Sequence, residues 1–207
     1  MPDPIIYDDF SQPTPVRNCQ LIVENRSLYV NPGYLAEMSP YFGTIYEQQI
    51  NPVSITELSY DQVLELMRVV FYCPQRKPIT QGNVSIVVEA ATYFEMEIVL
   101  RRCEQYITGH VGSFTNTRLF QLTQTLSKTN RYSPSMSMVV DKLAQLNDTE
   151  LSTLPFNEIP GDIVADLYAV KMRIKDEKKG NQSKILQRTR SNLKRPKQGC
   201  CLFSWCS

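Results

Sequence analysis

Two β-rich runs of five residues, Cys19–Val23 and Arg26–Val30, are separated only by Glu24-Asn25, and two proline-initiated segments follow at once. This order constrains the chain more than any other feature. A short polar step between two such runs suits a tight turn, so the pair reads as a β-hairpin. Asn31-Pro32 then places a capping side chain before a proline at the first helical position, and Ser39-Pro40 repeats that punctuation. Two short helices are predicted there. Further on, Val63, Met67 and Val70 form an apolar stripe behind Ser59 and Asp61, and Val84, Val87, Val88 and Ala91 form another behind Asn83, read as its N-cap. Stripes of this kind build a core and imply no ligand.

The wording of the segment Leu28–Phe42 resembles the early helices of BTB/POZ domains and ends in their Ser-x-x-Phe signature, here Ser39 to Phe42. Val53-Ser-Ile-Thr56 is similar to the family's third strand, Tyr60–Met67 to the helix after it, and Ala90–Met96 with Leu100–Glu104 to its closing helix pair. The idiom is that of nematode BTB domain-containing proteins. The resemblance implies an α+β fold, a small β-sheet flanked by a cluster of α-helices. The chain divides into an N-terminal arm (1–17), the BTB/POZ domain (18–108), a helical extension of BACK-like shape (109–175) and a basic, cysteine-terminated flexible tail (176–207). The extension carries helical patterns around Leu119 to Leu126, at Met136, Val139, Val140 and Leu143, and at Ile163, Leu167, Val170 and Ile174. Asn147-Asp148-Thr149 and Leu154-Pro155 are read as breaks between the last two. Apolar residues thin out after Lys175, and Lys178–Ser183 is read as a linker.

Few catalytic constellations are available to such a chain. It has one histidine, His110, after Gly109 near a helix end, where a solvent-side role outweighs catalysis. Cys73 and Cys103 fall on apolar helical faces, where cysteine behaves as a small hydrophobe. The eight glycines form no phosphate-cradling cluster. The expectation is a non-enzymatic chain without a cofactor or bound metal. The acidic, proline-interrupted start argues against a secretory signal, and the expected place is the cytoplasm, where six cysteines do not imply disulfides.

The near-neutral net charge hides an asymmetry. Lys171 to Lys197 holds 11 basic residues against Asp176 and Glu177, a net +9, and the rest of the chain carries −8. An acidic body bearing a basic tail suggests different partners for each. Cys200, Cys201 and Cys206 lie among Leu202, Phe203 and Trp205, after Lys194, Arg195 and Lys197. That composition fits S-acylation, since the fourth residue from the end is Ser204 and not the cysteine a prenyl signal needs. Three basic residues contribute only about 3 kcal/mol at an anionic leaflet, so an acyl chain would have to complete the anchor. The competing readings are a nuclear localisation signal, an RNA-binding tail, a three-cysteine metal site, and an end without function. Nucleic acid is disfavoured as a partner of the acidic body.

The family resemblance also implies two partner surfaces. A two-fold dimer interface involves the neighbourhood of the hairpin and the first helix: Asn18, Asn31, Gly33 and Tyr34. The family's acidic residue and histidine are replaced there by the amides of Asn18 and Asn31, which hydrogen-bond but do not ionise. Ile5, Ile6 and Tyr7 could add a strand to a partner's sheet. Cullin-type ligase scaffolds dock on a face matching Tyr41, Tyr46, Glu47, Ile50, Tyr93 and Glu95. Many binders carry an apolar-x-Glu motif in that loop, whereas this chain has Ile50-Asn51-Pro52. Two function classes stay open: a substrate adaptor of a cullin-RING ubiquitin ligase, and a BTB oligomerisation scaffold tethered to membranes without a ligase.

Overall fold

The computed structural model describes residues 10–71 and 77–193, with side chains as far as Gly180 and again at Lys184. The hairpin forms as β1 (Cys19–Val23) and β2 (Arg26–Val30), antiparallel with Leu21 opposite Leu28. Glu24 and Asn25 both take positive φ, 50° and 60°, the conformation a two-residue hairpin needs to match strand twist. A third strand, β3 (Val53–Ile55), pairs parallel with β1, giving the order β2-β1-β3. Alternation decides which face is covered. Cys19, Leu21, Val23, Leu28, Val30, Val53 and Ile55 all point into the core.

Between β2 and β3 lie α1 (Pro32–Ala36) and α2 (Pro40–Glu47), each capped as its sequence dictates. Asn31 Oδ1 accepts from Tyr34 N, and Ser39 Oγ accepts from Phe42 N. Then follow α3 (Tyr60–Val70), α4 (Val84–Tyr93) and α5 (Glu97–His110). Ser59 and Gln62 close a reciprocal capping box on α3, and the predicted stripes of α3 and α4 are buried. Asn83 departs from its expected role. It stands at the N-cap position of α4 without a side-chain cap, because its Oδ1, the atom a cap uses, accepts from Thr80 N at 2.7 Å, while its Nδ2 donates to Glu65 Oε1 (2.8 Å) and to Pro78 O. Glu65 is a buried carboxylate on α3 that also holds Lys77 at 2.7 Å, so its charge is satisfied from two sides.

The extension comprises α6 (Asn116–Thr129), α7 (Pro134–Ala144), a one-turn α8 (Asp148–Ser152) and α9 (Gly161–Leu193). It is not a separate lobe. α6 packs on α4, α7 on α6, and α9 on α7, and one apolar core runs from Phe10 to Leu167. Glu89 of α4 reinforces the join, accepting from Gln62 Nε2 of α3 and Thr125 Oγ1 of α6. One expectation is extended and another overturned. Asn147-Asp148-Thr149 does not merely interrupt, since Asn147 and Glu150 form a capping box that opens α8. The proposed linker Lys178–Ser183 is helical, part of a continuous α9. Lys178, Lys179 and Gln182 are strong intrinsic helix formers, and a helix already fixed by burial of Ile163, Leu167 and Lys171 only needs to propagate through Gly180, Asn181 and Ser183. The expected flexible tail from residue 176 therefore begins as helix, and residues 194–207 lie outside the described residues.

Candidate functional site

The Ser-x-x-Phe signature is the joint that positions the site. Ser39, only 2% exposed, uses one hydroxyl twice: it accepts from Phe42 N at 3.1 Å and donates to Phe94 O at 2.5 Å. The start of α2 is thereby tied to the end of α4. Phe42 then stacks on Phe94 with ring centroids 4.9 Å apart, and Tyr41 meets Phe94 at 5.3 Å and Tyr93 at 5.8 Å. Tyr41 is half-buried in this aromatic cluster. Its hydroxyl is pushed up to about 12 by burial first, then by Tyr93 and Glu57, so it stays protonated and serves as a hydrogen-bonding group. Glu95, exposed and at φ 54°, turns the chain from α4 into α5.

The other half of the expected docking face lies elsewhere. Tyr46, Glu47 and Ile50 sit at the far end of α2 and line an open groove of about 480 Å³ with Asn18, Pro32 and Asn51. Tyr46 is 55% exposed and Ile50 41%. Tyr46 also flanks α1, its ring standing where a side chain on Gly33 would make ordinary contact, 3.6 Å away. Residues assigned to two separate surfaces thus share one: Tyr46, Glu47 and Ile50 adjoin Asn18 and Gly33, whereas Tyr41 and Tyr93 belong to the aromatic cluster. Asn31 caps α1 beside them. Tyr34 turns inward, its hydroxyl donating to Val70 O and its ring 5.2 Å from Phe71.

Asn51 is the residue that sequence reading passed over. Its Oδ1 accepts from Gln20 N at 2.9 Å and its Nδ2 donates to Asn18 O at 3.1 Å, a two-ended clamp that fixes the loop after α2 against β1. Gln49, at φ 53°, and the bond from Ile50 N to Ile45 O complete the turn that holds Ile50 outward. The signal was present as an asparagine in a tight loop, but its partner strand lies more than thirty residues away.

Among the described residues, neither half resembles a reaction centre. Burial raises the Cys19 thiol and drives Cys103 up to about 12, which keeps both protonated and unreactive. His110 is exposed, its Nδ1 2.9 Å from Tyr106 O and its ring stacked on Tyr106. Among the described residues, no group of three His, Cys, Asp or Glu could hold a metal ion, and no helix is long and apolar enough to cross a membrane. Cys73, Cys200, Cys201, Cys206, Lys194, Arg195, Lys197 and the Ile5–Tyr7 segment fall outside the described residues.

A clamped hairpin, two capped helices and an exposed apolar shelf on a helical body define a protein-interaction module. Residues 7–110 match the BTB/POZ domain. The chain is 42% identical, over 97% of its length and 77% of the other's, to cytokinesis defective protein 7 of Caenorhabditis elegans. It is 28% identical, over 58% of its length and 32% of the other's, to BTB and MATH domain-containing protein 38 of the same nematode. The chain belongs to the BTB/POZ domain family. Domains of this family mediate contacts between proteins and are generally non-enzymatic, so this chain is a protein–protein interaction adaptor.

Proposed function

We propose that the chain is a dimeric BTB adaptor that brings a cullin-type ligase scaffold to a substrate, with the shelf of Tyr46 and Ile50 as the central contact. The observation that carries this reading is the exposure of two large apolar side chains, Tyr46 at the end of α2 and Ile50 on the following loop that Asn51 ties to β1. Rigid, exposed apolar anchors are what interface centres are made of, because little ordering entropy is lost on docking. The missing glutamate removes one charge-assisted contact without removing the anchors. Asn18, Asn31 and Gly33 border the same groove, so self-association and scaffold docking draw on neighbouring surfaces. The extension or the tail recruits the substrate in this reading.

The tail completes the proposal. Cys200, Cys201 and Cys206 accept acyl chains, and Lys194, Arg195 and Lys197 meet anionic lipid, placing a cytoplasmic protein on a membrane surface. In support, α9 carries the chain continuously to Leu193, immediately before that basic cluster. Scaffolding without a ligase is the second reading, favoured by the proline at the position where the motif has its acid.

The test is a pull-down of the full chain against a panel of cullin N-terminal domains, with size-exclusion light scattering on the same sample. Tyr46→Asp and Ile50→Asp should each weaken capture by about 30-fold, as losing a hot-spot residue worth about 2 kcal/mol implies. A folded dimer that captures no cullin would move the function to scaffolding. Capture unchanged in both variants would show that the shelf is not the contact.

A further inference from the structure

The long helix α9 is packed along its first half only. Ile163, Leu167 and Lys171 are buried on the side that meets α7, whereas the helix is exposed throughout from Lys175 to Gly180. At 1.5 Å per residue, the stretch from Lys175 to Leu193 runs about 28 Å further. The packed half also has an open face. Val164, Tyr168 and Met172 recur every four residues and so form one ridge, on which Tyr168 is 48% exposed and Met172 58%. Ala165 and Ala169, exposed beside that ridge, leave room for another backbone to approach. The Phe156 ring supports the ridge, 6.2 Å from the ring of Tyr168 and 5.9 Å from that of Phe120. An aromatic and a methionine held on a rigid helix have the composition of an interface centre.

Charge decides what covers it. Lys171 to Lys197 carries a net +9 and the rest of the chain −8, so the chain is its own electrostatic complement. Within one copy, the projection of α9 carries its basic half away from the acidic body. We propose that a second copy of this chain covers the ridge, with the two α9 helices antiparallel about a two-fold axis at Tyr168. Such a contact is isologous, the same patch on both sides. Val164 of one copy then meets Met172 of the other. Counting outward from the axis, Lys175 lies across from the other copy's Gly161, where α9 starts, and the basic stretch beyond it runs over the exposed Glu158 and the acidic body. Antiparallel pairing also opposes the two helix dipoles, whereas parallel pairing would set each lysine of the stretch against its own counterpart. This interface is built from the extension and does not rest on the groove of Tyr46 and Ile50. Where the hairpin surface self-associates as well, two isologous contacts link copies into assemblies larger than a dimer.

The test follows the mass of the full chain by light scattering over a concentration series, for the parent and for Tyr168→Glu, with circular dichroism confirming that the variant is folded. The substitution should weaken self-association by at least about 30-fold, the size expected for losing a side chain at an interface centre, and should lower the assembled mass by half or more. Salt at about 1 M, where screening acts within about 3 Å, should weaken the parent's association in the same direction. Orientation is read by oxidative cross-linking in a chain whose Cys200, Cys201 and Cys206 are replaced by serine. Tyr168→Cys should link to its counterpart, and Val164→Cys mixed with Met172→Cys should link to each other. A parent that stays monomeric, or a mass unmoved by Tyr168→Glu, would overturn the interface. Insensitivity to salt would overturn the charge argument, and self-linking of Met172→Cys, or no link through Tyr168→Cys, would overturn the antiparallel arrangement.

Discussion

Ser39→Ala should cost far more than the loss of an ordinary helix cap, and the structure sets the amount. Removing the hydroxyl takes away the cap on Phe42 N, which is worth about 1 kcal/mol. It also removes the donor to Phe94 O inside a buried joint, which adds about 1–3 kcal/mol. The sum is about 3 kcal/mol, a drop of about 6–12 °C in melting temperature for a chain of this size. Ser133→Ala is the internal control. That serine is equally buried and caps α7 through Met136 N, and it should cost about 1 kcal/mol because capping is its described role. Urea unfolding of both variants beside the parent, read by circular dichroism with a common slope, measures the difference. Equal losses in the two variants would refute the claim that Ser39 ties α2 to α4, and the family's serine would reduce to a helix cap.

Two further predictions rest on titrating groups. Cys103 should resist a thiol reagent at pH 8 in the native chain and label promptly in denaturant, followed by mass spectrometry of its peptide, because burial holds the thiol near 12. Asp148 is exposed and lies below its ordinary 3.8 through hydrogen bonds from Lys175 and Lys171. A depressed carboxylate contributes stability that is complete above its unfolded value and is lost as pH falls through the folded one. Asp148→Asn should therefore flatten the stability profile just below pH 4 and leave its slope above pH 5 unchanged, as measured by urea midpoints across that range; an unaltered acid limb would refute the link.

What was legible in the sequence was local. The hairpin, both proline-initiated helices, and the stripes of α3, α4, α6 and α7 follow from capping and periodicity, which act within about four residues, whereas β3 rests on the family resemblance. The misreadings share a cause, which is that a distant partner redirected a local preference. Asn83 has the chemistry of a cap, but its Oδ1 accepts from Thr80 N while its Nδ2 turns to the buried carboxylate of Glu65, eighteen residues back. Asn51 looks like a loop residue lacking the family's acid, yet its two bonds to β1 define the groove. Lys178–Ser183 reads as too polar to order, and α9 orders it by propagation from a packed first half. Lys171 shows how that half is held. It is 5% exposed, and its ammonium reaches Leu146 O and Asp148, so one charged side chain ties α9 to the C-terminal end of α7 and the start of α8.

The same contrast explains the character of the candidate surface. A glutamate in the loop after α2 would steer partners through a charge that solvent ions screen. In its place the chain invests in geometry, with an asparagine clamp beneath the loop, a left-handed Gln49, and two apolar side chains turned to solvent. Among the described residues, Glu47 is the one charged residue lining that groove. Recognition there is governed by shape and apolar area, which act on how long a partner stays more than on how fast it arrives. Asn18 and Gly33 lie at the rim of the same groove, so whatever covers Tyr46 and Ile50 touches the hairpin as well. Under the proposed function, self-association and scaffold docking therefore compete for, or build upon, a single stretch of this fold.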